Sequence, residues 1–487
     1  MKIFNKISFI LGDEPIEIDF SKSELKPTTT VLNFLRSYPN FKGVKEGCGE
    51  GDCGACTIVL AELNENNKLH YYAVDSCLVF LPMIHGKQVL TVEHLAQKNG
   101  KETILHPVQK AIIENDATQC GYCTPGFAMS MFALYKNKFN PTKEIVIDSL
   151  AGNLCRCTGY KPLINAAIEA CSNKTSDQFQ IAENKTVLQL QKISEVQLPI
   201  IIEKNQQFFA KVFSLSDALK LKKLNPEAIF IGGATDTALR VTKKHEVIPS
   251  IIDISSIQNI KYFREEENYF VIGSGISLED LKNKTENYLP AVHHILKVFG
   301  SKQIRNLATL GGNLGSASPI GDTLPMLIAH EAVIIVKSLQ ATRRIPINSF
   351  IKSYRKTAIQ NSEIITEISV PIPDKESIIK SYKVSKRKDL DISTVSACFN
   401  LKFSKNKTVE KIILAFGGMA ATPVKANSAE AYLIGKKWEL ENIKIAMELI
   451  SKEFEPISDA RASKEFRIIS SKNLLLKFFN DLKMGEI

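Results

Sequence analysis

Apolar and polar positions alternate along ISFILGD and PIEIDF, with Gly12-Asp13 between them, and predict a β-hairpin near the N-terminus. TVLNFLRSY has the spacing of a short helix. CTIVLAEL and LHYYAVDSCLVFL are apolar and β-branched and predict further strands, so residues 1–83 read as strand-rich. From 84 to 172 the pattern turns helical. Thr124-Pro125, just after Cys123, is a helix-start signal, and FAMSMFALYKN continues with helical spacing. NPTKEIVIDSLAG predicts a second helix stopped by Gly152, and PLINAAIEAC a third. Residues 173–195 are polar, lack strong periodicity and read as a linker. From about 205 the order becomes strand, loop, helix, with buried-strand runs in EAIFIGGATDTAL, SIIDIS, YFVIGSGISLEDL and AVIIVKS. A last unit, from about 380, places the strands DISTVSACFNLKF and KIILAFGG before long helices.

At 487 residues the chain has room for three or four domains, and 44% hydrophobic residues give each a core. MKIFNKISFILGDEP has no signal-length apolar region, and no stretch approaches a membrane span. A cytoplasmic protein with reduced thiols and no membrane association is expected. The net charge of +10 comes from 62 basic and 52 acidic residues, but the lysines are scattered. Without a basic stripe interleaved with aromatics, no nucleic-acid partner is expected.

Eight of the ten cysteines form two groups in the first third. Cys48, Cys53, Cys56 and Cys77 read C-x4-C-x2-C with a fourth cysteine later, the spacing of a plant-type 2Fe–2S loop. Gly47, Gly49, Gly51 and Gly54 alternate with the ligands, as a backbone wrapped closely around a cluster requires. Cys77 is expected to arrive from a strand. The alternative is a zinc site, which more often uses paired C-x2-C units. Cys120 and Cys123, then Cys155 and Cys157, flank two predicted helices. Two thiolates one residue apart can ligate one iron, and a helix starting after Cys123 would set partial positive charge beside an anionic cluster. A thioredoxin-like redox pair is the alternative reading of C-G-Y-C, but no βαβ pattern surrounds it. Cys171 and Cys398 read as packed small hydrophobes.

Gly273-Ser274-Gly275 lacks the third glycine of a dinucleotide fingerprint, since position 278 is Leu, and no Walker loop occurs. Two other loops fit a pyrophosphate better: Gly232-Gly233-Ala234-Thr235-Asp236, after the strand AIFI, and Gly311-Gly312-Asn313 within NLATLGGNLGSASPIGDTLP. Asp236 or Asp322 could bond ribose hydroxyls or fix the loops. Plain tight turns between strands are the other reading.

Taken in order, GCGEGDCGACTI, QCGYCTPGF and NLCRCTGY resemble the iron–sulfur part of the molybdenum hydroxylases. GGATD with TLGGNLGSASPIGD resembles their flavin domain, and LAFGGMA with ASKEFR the small domain that follows it. The resemblance implies a multidomain α+β chain. It would comprise a β-grasp ferredoxin-like 2Fe–2S domain (1–83), an all-helical four-helix 2Fe–2S domain (84–172) and a linker (173–195). A vanillyl-alcohol-oxidase-type α+β FAD domain (196–376) and a small α/β C-terminal companion (377–487) would follow. It makes the eight cysteines cluster ligands and places Gln119 near a pterin. Ile231, Gly232, Gly233, Ala234, Thr235, Asp236, Thr309, Gly312, Asn313, Ser316 and Asp322 match FAD-binding positions. Phe299 matches an aromatic near the flavin ring and Lys383 a basic residue of the flavin site. SKRKDLDIS (385–393) matches a loop that governs access to FAD.

With clusters and flavin in one chain, the order resembles the small subunits of two-subunit bacterial xanthine dehydrogenases. That implies a large molybdopterin-binding partner, where a purine is hydroxylated, in a heterotetramer of two heterodimers. Electrons would pass one at a time through the helical-domain cluster, the ferredoxin-like cluster and FAD to NAD+. Another molybdenum hydroxylase, for an aldehyde or N-heterocycle, or a stand-alone electron carrier are the alternatives. No hydrolytic triad or HExxH pattern occurs, and His293-His294 reads as a packing feature.

Overall fold

A computed structural model describes residues 5–483, which divide into two compact units. The first runs up to Ile257 and takes in Ser301–Ala308; the second holds Gln258–Gly300 and the chain from Thr309.

The predicted hairpin forms β1 (Lys6–Leu11) and β2 (Glu14–Asp19), turning at Gly12 with φ +66°. Helix α1 (Val31–Ser37) starts where the Thr30 side chain accepts from the Asn33 N–H, and buries Val31, Leu32, Phe34 and Leu35. Strands β3 (Thr57–Leu63) and β4 (Leu69–Asp75) pair antiparallel. The five-stranded sheet has the order β2-β1-β5-β3-β4, and its middle strand β5 is Gln88–Leu90. The expected boundary at 83 therefore cuts this sheet. Three residues are too few to carry a period, and β5 gains its place from pairing with β1 and β3. SCLVFL, expected as strand, forms 3-10 turns at Ser76–Leu78 and Leu81–Ile84. Cys77 thus sits on a turn just past β4.

Helices α2 (Pro107–Glu114), α3 (Thr124–Asn137), α4 (Lys143–Leu150) and α5 (Lys161–Ser172) follow. Every residue of α3 from Gly126 to Tyr135 is buried, so its apolar residues wrap all round and the others pack against it. The expected linker is largely helical, over Gln178–Ile181 and Glu183–Ser194. Its stop signal is absent, and Phe179, Thr186 and Leu190 are buried. Asp177 caps the first turn and pairs with Lys136 and His106. A second sheet has the order 229–231, 250–253, 207–211, 200–204, its first three strands parallel. Ile231, Ile251 and Phe209 share one core with Ile7, Phe9 and Leu60 of the first sheet.

In the second unit, an antiparallel sheet has the order 263–266, 269–273, 364–371, 333–337, 342–346. Another is the meander 378–384, 395–403, 409–417, 424–425, which shares a core with helices Asn427–Leu433, Leu440–Glu453 and Lys464–Lys483. Antiparallel strands followed by helices make this C-terminal part α+β, correcting the α/β expectation. The stretch 196–376, expected as one domain, contributes to both units, because strand-run patterns do not say which sheet a strand will join. No helix among the described residues is long and apolar enough to cross a membrane.

Candidate metal centres and cofactor loops

All ten cysteines are free. The eight grouped ones do not converge four to a point; they form close pairs. Cys56 Sγ lies 3.4 Å from Cys77 Sγ, and Cys48 and Cys53 are near enough for each thiol to shift the other's ionisation. Cys157 Sγ lies 3.7 Å from Cys120 Sγ, and Cys123 and Cys155 are near enough for each thiol to shift the other's ionisation. Among the described residues no three His, Cys, Asp or Glu side chains gather around one metal-ion position. A mononuclear zinc site needs four donors at one centre, whereas a 2Fe–2S rhombus needs two thiolates on each of two irons. Pairs of thiols fit the rhombus.

The loop 47–56 is shaped for such a group. Gly49, Gly51 and Gly54 have φ of +65°, +75° and +68°. A Cβ on Gly47 would lie 2.8 Å from Cys53 Sγ, and one on Gly51 would lie 2.5 Å from Leu78 and 2.9 Å from Ile304. The N–H groups of Glu50 and Asp52 donate to Cys48 Sγ at 3.4 and 3.3 Å. The Cys53 thiol and then these amides pull the Cys48 thiol down to about 5, and Cys53 is pushed up by the same shared bond and by burial. Cys56 is raised by its bond to Cys77 and by burial. The pattern is that of paired thiols sharing protons that a metal would displace. Asp75 is buried 3.7 Å from Cys56 Sγ, with Oδ2 free of any hydrogen bond.

The second set is more open. Cys120 and Cys157 are exposed, beside exposed Gln119, Tyr122, Arg156 and Tyr160. Cys123 is the N-cap residue of α3, whose first turn holds no acid, so the helix N-terminus faces these thiols uncompensated. Burial pushes Cys123 up to about 12, with its bond to Cys155 adding to the rise. Burial also acts to raise Cys155, but bonds from Thr158 and backbone N–H groups outweigh it and lower the thiol. The Thr158 hydroxyl donates to Cys155 Sγ at 3.2 Å. Thr158 escaped sequence reading; only its place directly after C-R-C marks it. So did Lys45, whose Nζ bonds the carbonyls of Gly121 and Tyr122 at 3.3 and 3.2 Å, while Tyr122 OH donates to Glu46 O at 2.6 Å.

Residues expected to bind flavin divide between the units. In the first, Ile231 ends an edge strand of the parallel sheet and Gly232–Asp236 form the loop at its C-terminal end, the usual ligand side of such a sheet. A Cβ on Gly233 would lie 1.7 Å from Leu307 O, and Ala234 holds φ +59°. Helix Ala238–Thr242 follows, and Lys243 Nζ then donates to Cys48 O at 3.1 Å. The first cysteine loop and the GGATD loop thus share a neighbour, segment 301–308, which meets Gly51 through Ile304 and Gly233 through Leu307.

In the second unit, Thr309 caps helix Leu310–Ser316 by accepting from the Gly312 N–H at 3.0 Å. Gly311 N–H donates to Ser274 O, where a Cβ would lie 2.7 Å from the same oxygen. The Asn313 side chain accepts from Thr323 at 2.5 Å, and Ser316 donates to Asn313 O. Asp322 pairs with Lys383 at 3.0 Å and accepts from Ser393 at 2.5 Å, while Lys383 reaches Val298 O, next to Phe299. These polar groups already brace one another, so they shape loops more than they point at a ligand. Gly273 and Gly275 serve packing: their N–H groups bond Tyr262 O and Ile260 O, and Cβ atoms there would strike residue 260.

Three family models match the chain. Residues 91–168 match a [2Fe-2S] binding domain, 204–373 the FAD binding domain in molybdopterin dehydrogenase, and 380–482 the CO dehydrogenase flavoprotein C-terminal domain. Xanthine dehydrogenase of Emericella nidulans is 30% identical over 89% of this chain and 35% of its own length. Aldehyde oxidase 1 of Bos taurus is 29% identical over 96% of this chain and 39% of its own. The chain thus spans between a third and two fifths of the length of these relatives. A solved carbon monoxide dehydrogenase chain from Hydrogenophaga pseudoflava shares the fold over 55% of this chain and 93% of its own, with TM-score 0.53 and 24% identity. With paired thiols inside the [2Fe-2S] match and glycine loops inside the FAD match, the chain is similar to an iron–sulfur and flavin portion of these longer oxidoreductases.

Proposed function

We propose that this chain is the electron-transfer part of a molybdenum hydroxylase of the xanthine dehydrogenase kind. In this reading it holds 2Fe–2S groups at both cysteine sets and binds FAD through the stretch that matches the FAD binding domain, residues 204–373. A molybdopterin-bearing partner supplies electrons taken from a purine, and NAD+ receives them. The observation that carries the reading is the sorting of eight thiols into four close pairs, one set open to solvent and the other beside the GGATD loop's own neighbour.

When bound, such groups supply one-electron steps at the clusters and a two-electron exchange at the flavin. The protein's residues set position and environment. The amides of Glu50 and Asp52 aim at Cys48, and the Thr158 hydroxyl at Cys155, stabilising thiolate charge. Cys56 and Cys77 are buried against the first core, which excludes water from that end. Exposed Cys120 and Cys157, beside Gln119, suit a set that faces a partner. Lys243 ties the GGATD helix to the first cysteine loop, which suits the set nearer the flavin. The Asp322–Lys383–Ser393 brace fixes both ends of loop 385–393, the expected access loop.

Similarity to an aldehyde oxidase at 29% identity favours a second reading, the same role with an aldehyde or N-heterocycle as substrate. Anaerobic purification with metal analysis and electron paramagnetic resonance tests the core of the proposal. Two distinct 2Fe–2S signals, one flavin per chain and a larger co-purifying partner are expected. Zinc in place of iron and sulfide would overturn it, and a chain that purifies alone with its cofactors would make it a stand-alone carrier. Assays of the complex with xanthine, nicotinate and aldehydes, each with NAD+ or dioxygen, decide substrate and acceptor.

A further inference from the structure

One backbone contact joins the two cysteine sets. The Leu154 N–H donates to the Cys53 carbonyl at 3.0 Å. Cys53 belongs to the Cys48–Cys53 pair, and Leu154 is covalently followed by Cys155 of the Cys123–Cys155 pair. Missing side chains allow the approach. A Cβ on Gly54 would lie 2.3 Å from Gly152 O, and one on Gly126, in the first turn of α3, would lie 2.2 Å from Gly54 O. Backbone of the first loop therefore rests directly on backbone of both segments that carry the second set.

A buried polar cluster bolts this contact. Asn153 Nδ2 donates to Gly54 O at 3.0 Å and to Thr57 Oγ1 at 3.1 Å. Asn153 Oδ1 accepts from Ser130 Oγ at 2.6 Å and from Gln303 Nε2 at 3.0 Å. Gln303 Nε2 also reaches Ser130 Oγ at 3.2 Å. The three residues are 2%, 2% and 0% exposed, so each lost bond would leave a dry polar group unpaired. Gln303 comes from the returning segment 301–308, so the cluster fastens first loop, second loop, α3 and that segment together.

We propose that Asn153, Ser130 and Gln303 are positioning residues for electron transfer between the sets, and that the Cys53 C=O···H–N Leu154 bridge is its route. The inference rests on the reading that both sets hold 2Fe–2S groups. In that reading Cys120, Cys123, Cys155 and Cys157 would hold the group that gives up one electron and is oxidised, and Cys48, Cys53, Cys56 and Cys77 would hold the group that takes it and is reduced. No proton moves and no bond is made or broken. The cluster touches no sulfur, so its effect is on the spacing of the sets rather than on the assembly of either.

The test uses the purified full-length chain with its cofactors, reduced by dithionite and examined by electron paramagnetic resonance at low temperature. A wild-type protein without two iron–sulfur signals defeats the functional reading itself, before any variant is made. With both signals present, magnetic splitting between them reports their spacing, and electron redistribution after pulse reduction reports the route. Asn153→Ala is expected to keep iron, sulfide and both signals while losing the splitting and slowing redistribution. Unchanged splitting and rate in that variant overturn the proposal. Should Asn153→Ala fail to assemble, Gln303→Leu decides, because it leaves the Asn153 bonds to Gly54 and Thr57 in place. Weakened splitting there supports the proposal, and wild-type behaviour overturns it.

Discussion

At the residue scale, glycines decide how closely backbone can wrap a group, and their environments separate two kinds of cost. Gly54 combines φ +68° with a Cβ position 2.3 Å from Gly152 O. Gly100 has a similar φ of +64° and nothing within 4 Å. Gly54→Ala is expected to lose iron and sulfide from the purified chain, measured per mole of protein. Gly100→Ala costs only the left-handed backbone, about 1 kcal/mol in thermal or denaturant unfolding, with metal content unchanged. The two remaining cysteines give the opposite control. Cys171 and Cys398 are buried and belong to none of the pairs, and desolvation raises both thiols. Cys171→Ala and Cys398→Ala should keep full iron content; a loss in either would add it to the ligands.

At the scale of elements, clasps matter more than helix propensity. Asp177 caps a helical turn and takes His106 and Lys136, at side-chain exposures of 1%, 0% and 9%. Burial opposes its charge, but those two partners and the Gln180 N–H hold it at about 2, below the ordinary 3.8. A carboxyl lowered on folding stabilises fully above its unfolded value, so this contribution is whole above about pH 4 and fades as pH falls towards 2. Asp177→Ala strands the two partners and should cost about 3 kcal/mol, seen as faster amide exchange across residues 178–194. In the second unit, Lys383 and Asp322 are each 5% exposed by side chain. Lys383→Met leaves that carboxylate with Ser393 alone, at a cost of about 3 kcal/mol. Faster proteolysis within 385–393, with iron content retained, is the expected readout.

At the scale of the whole molecule, the two cysteine sets differ in exposure, and under the proposed function this marks the set that faces a partner. Cys56 and Cys77 lie in the core, whereas Cys120, Cys157 and Gln119 stand at the surface. Gln119→Arg adds bulk and charge to that face without removing a sulfur. It is expected to abolish co-purification of the larger partner while both iron–sulfur signals of this chain persist. A complex that survives the substitution would move the docking face elsewhere.

The spacing of the grouped cysteines, the glycines between them and the Thr-Pro start of α3 were legible in the sequence, because local backbone geometry dictates them within a few residues. The hairpin, α1 and helices α3, α4 and α5 followed from periodicity for the same reason, whereas α2 did not stand out in the pattern. The place of β5, the helical character of 178–194 and the split of 196–376 were not, because each depends on partners far away in the chain. Which thiol pairs with which, and the Asn153–Ser130–Gln303 bolt between the sets, also needed the tertiary structure. Close approach of backbone to backbone leaves its only local trace in glycine, and glycine does not name its neighbour.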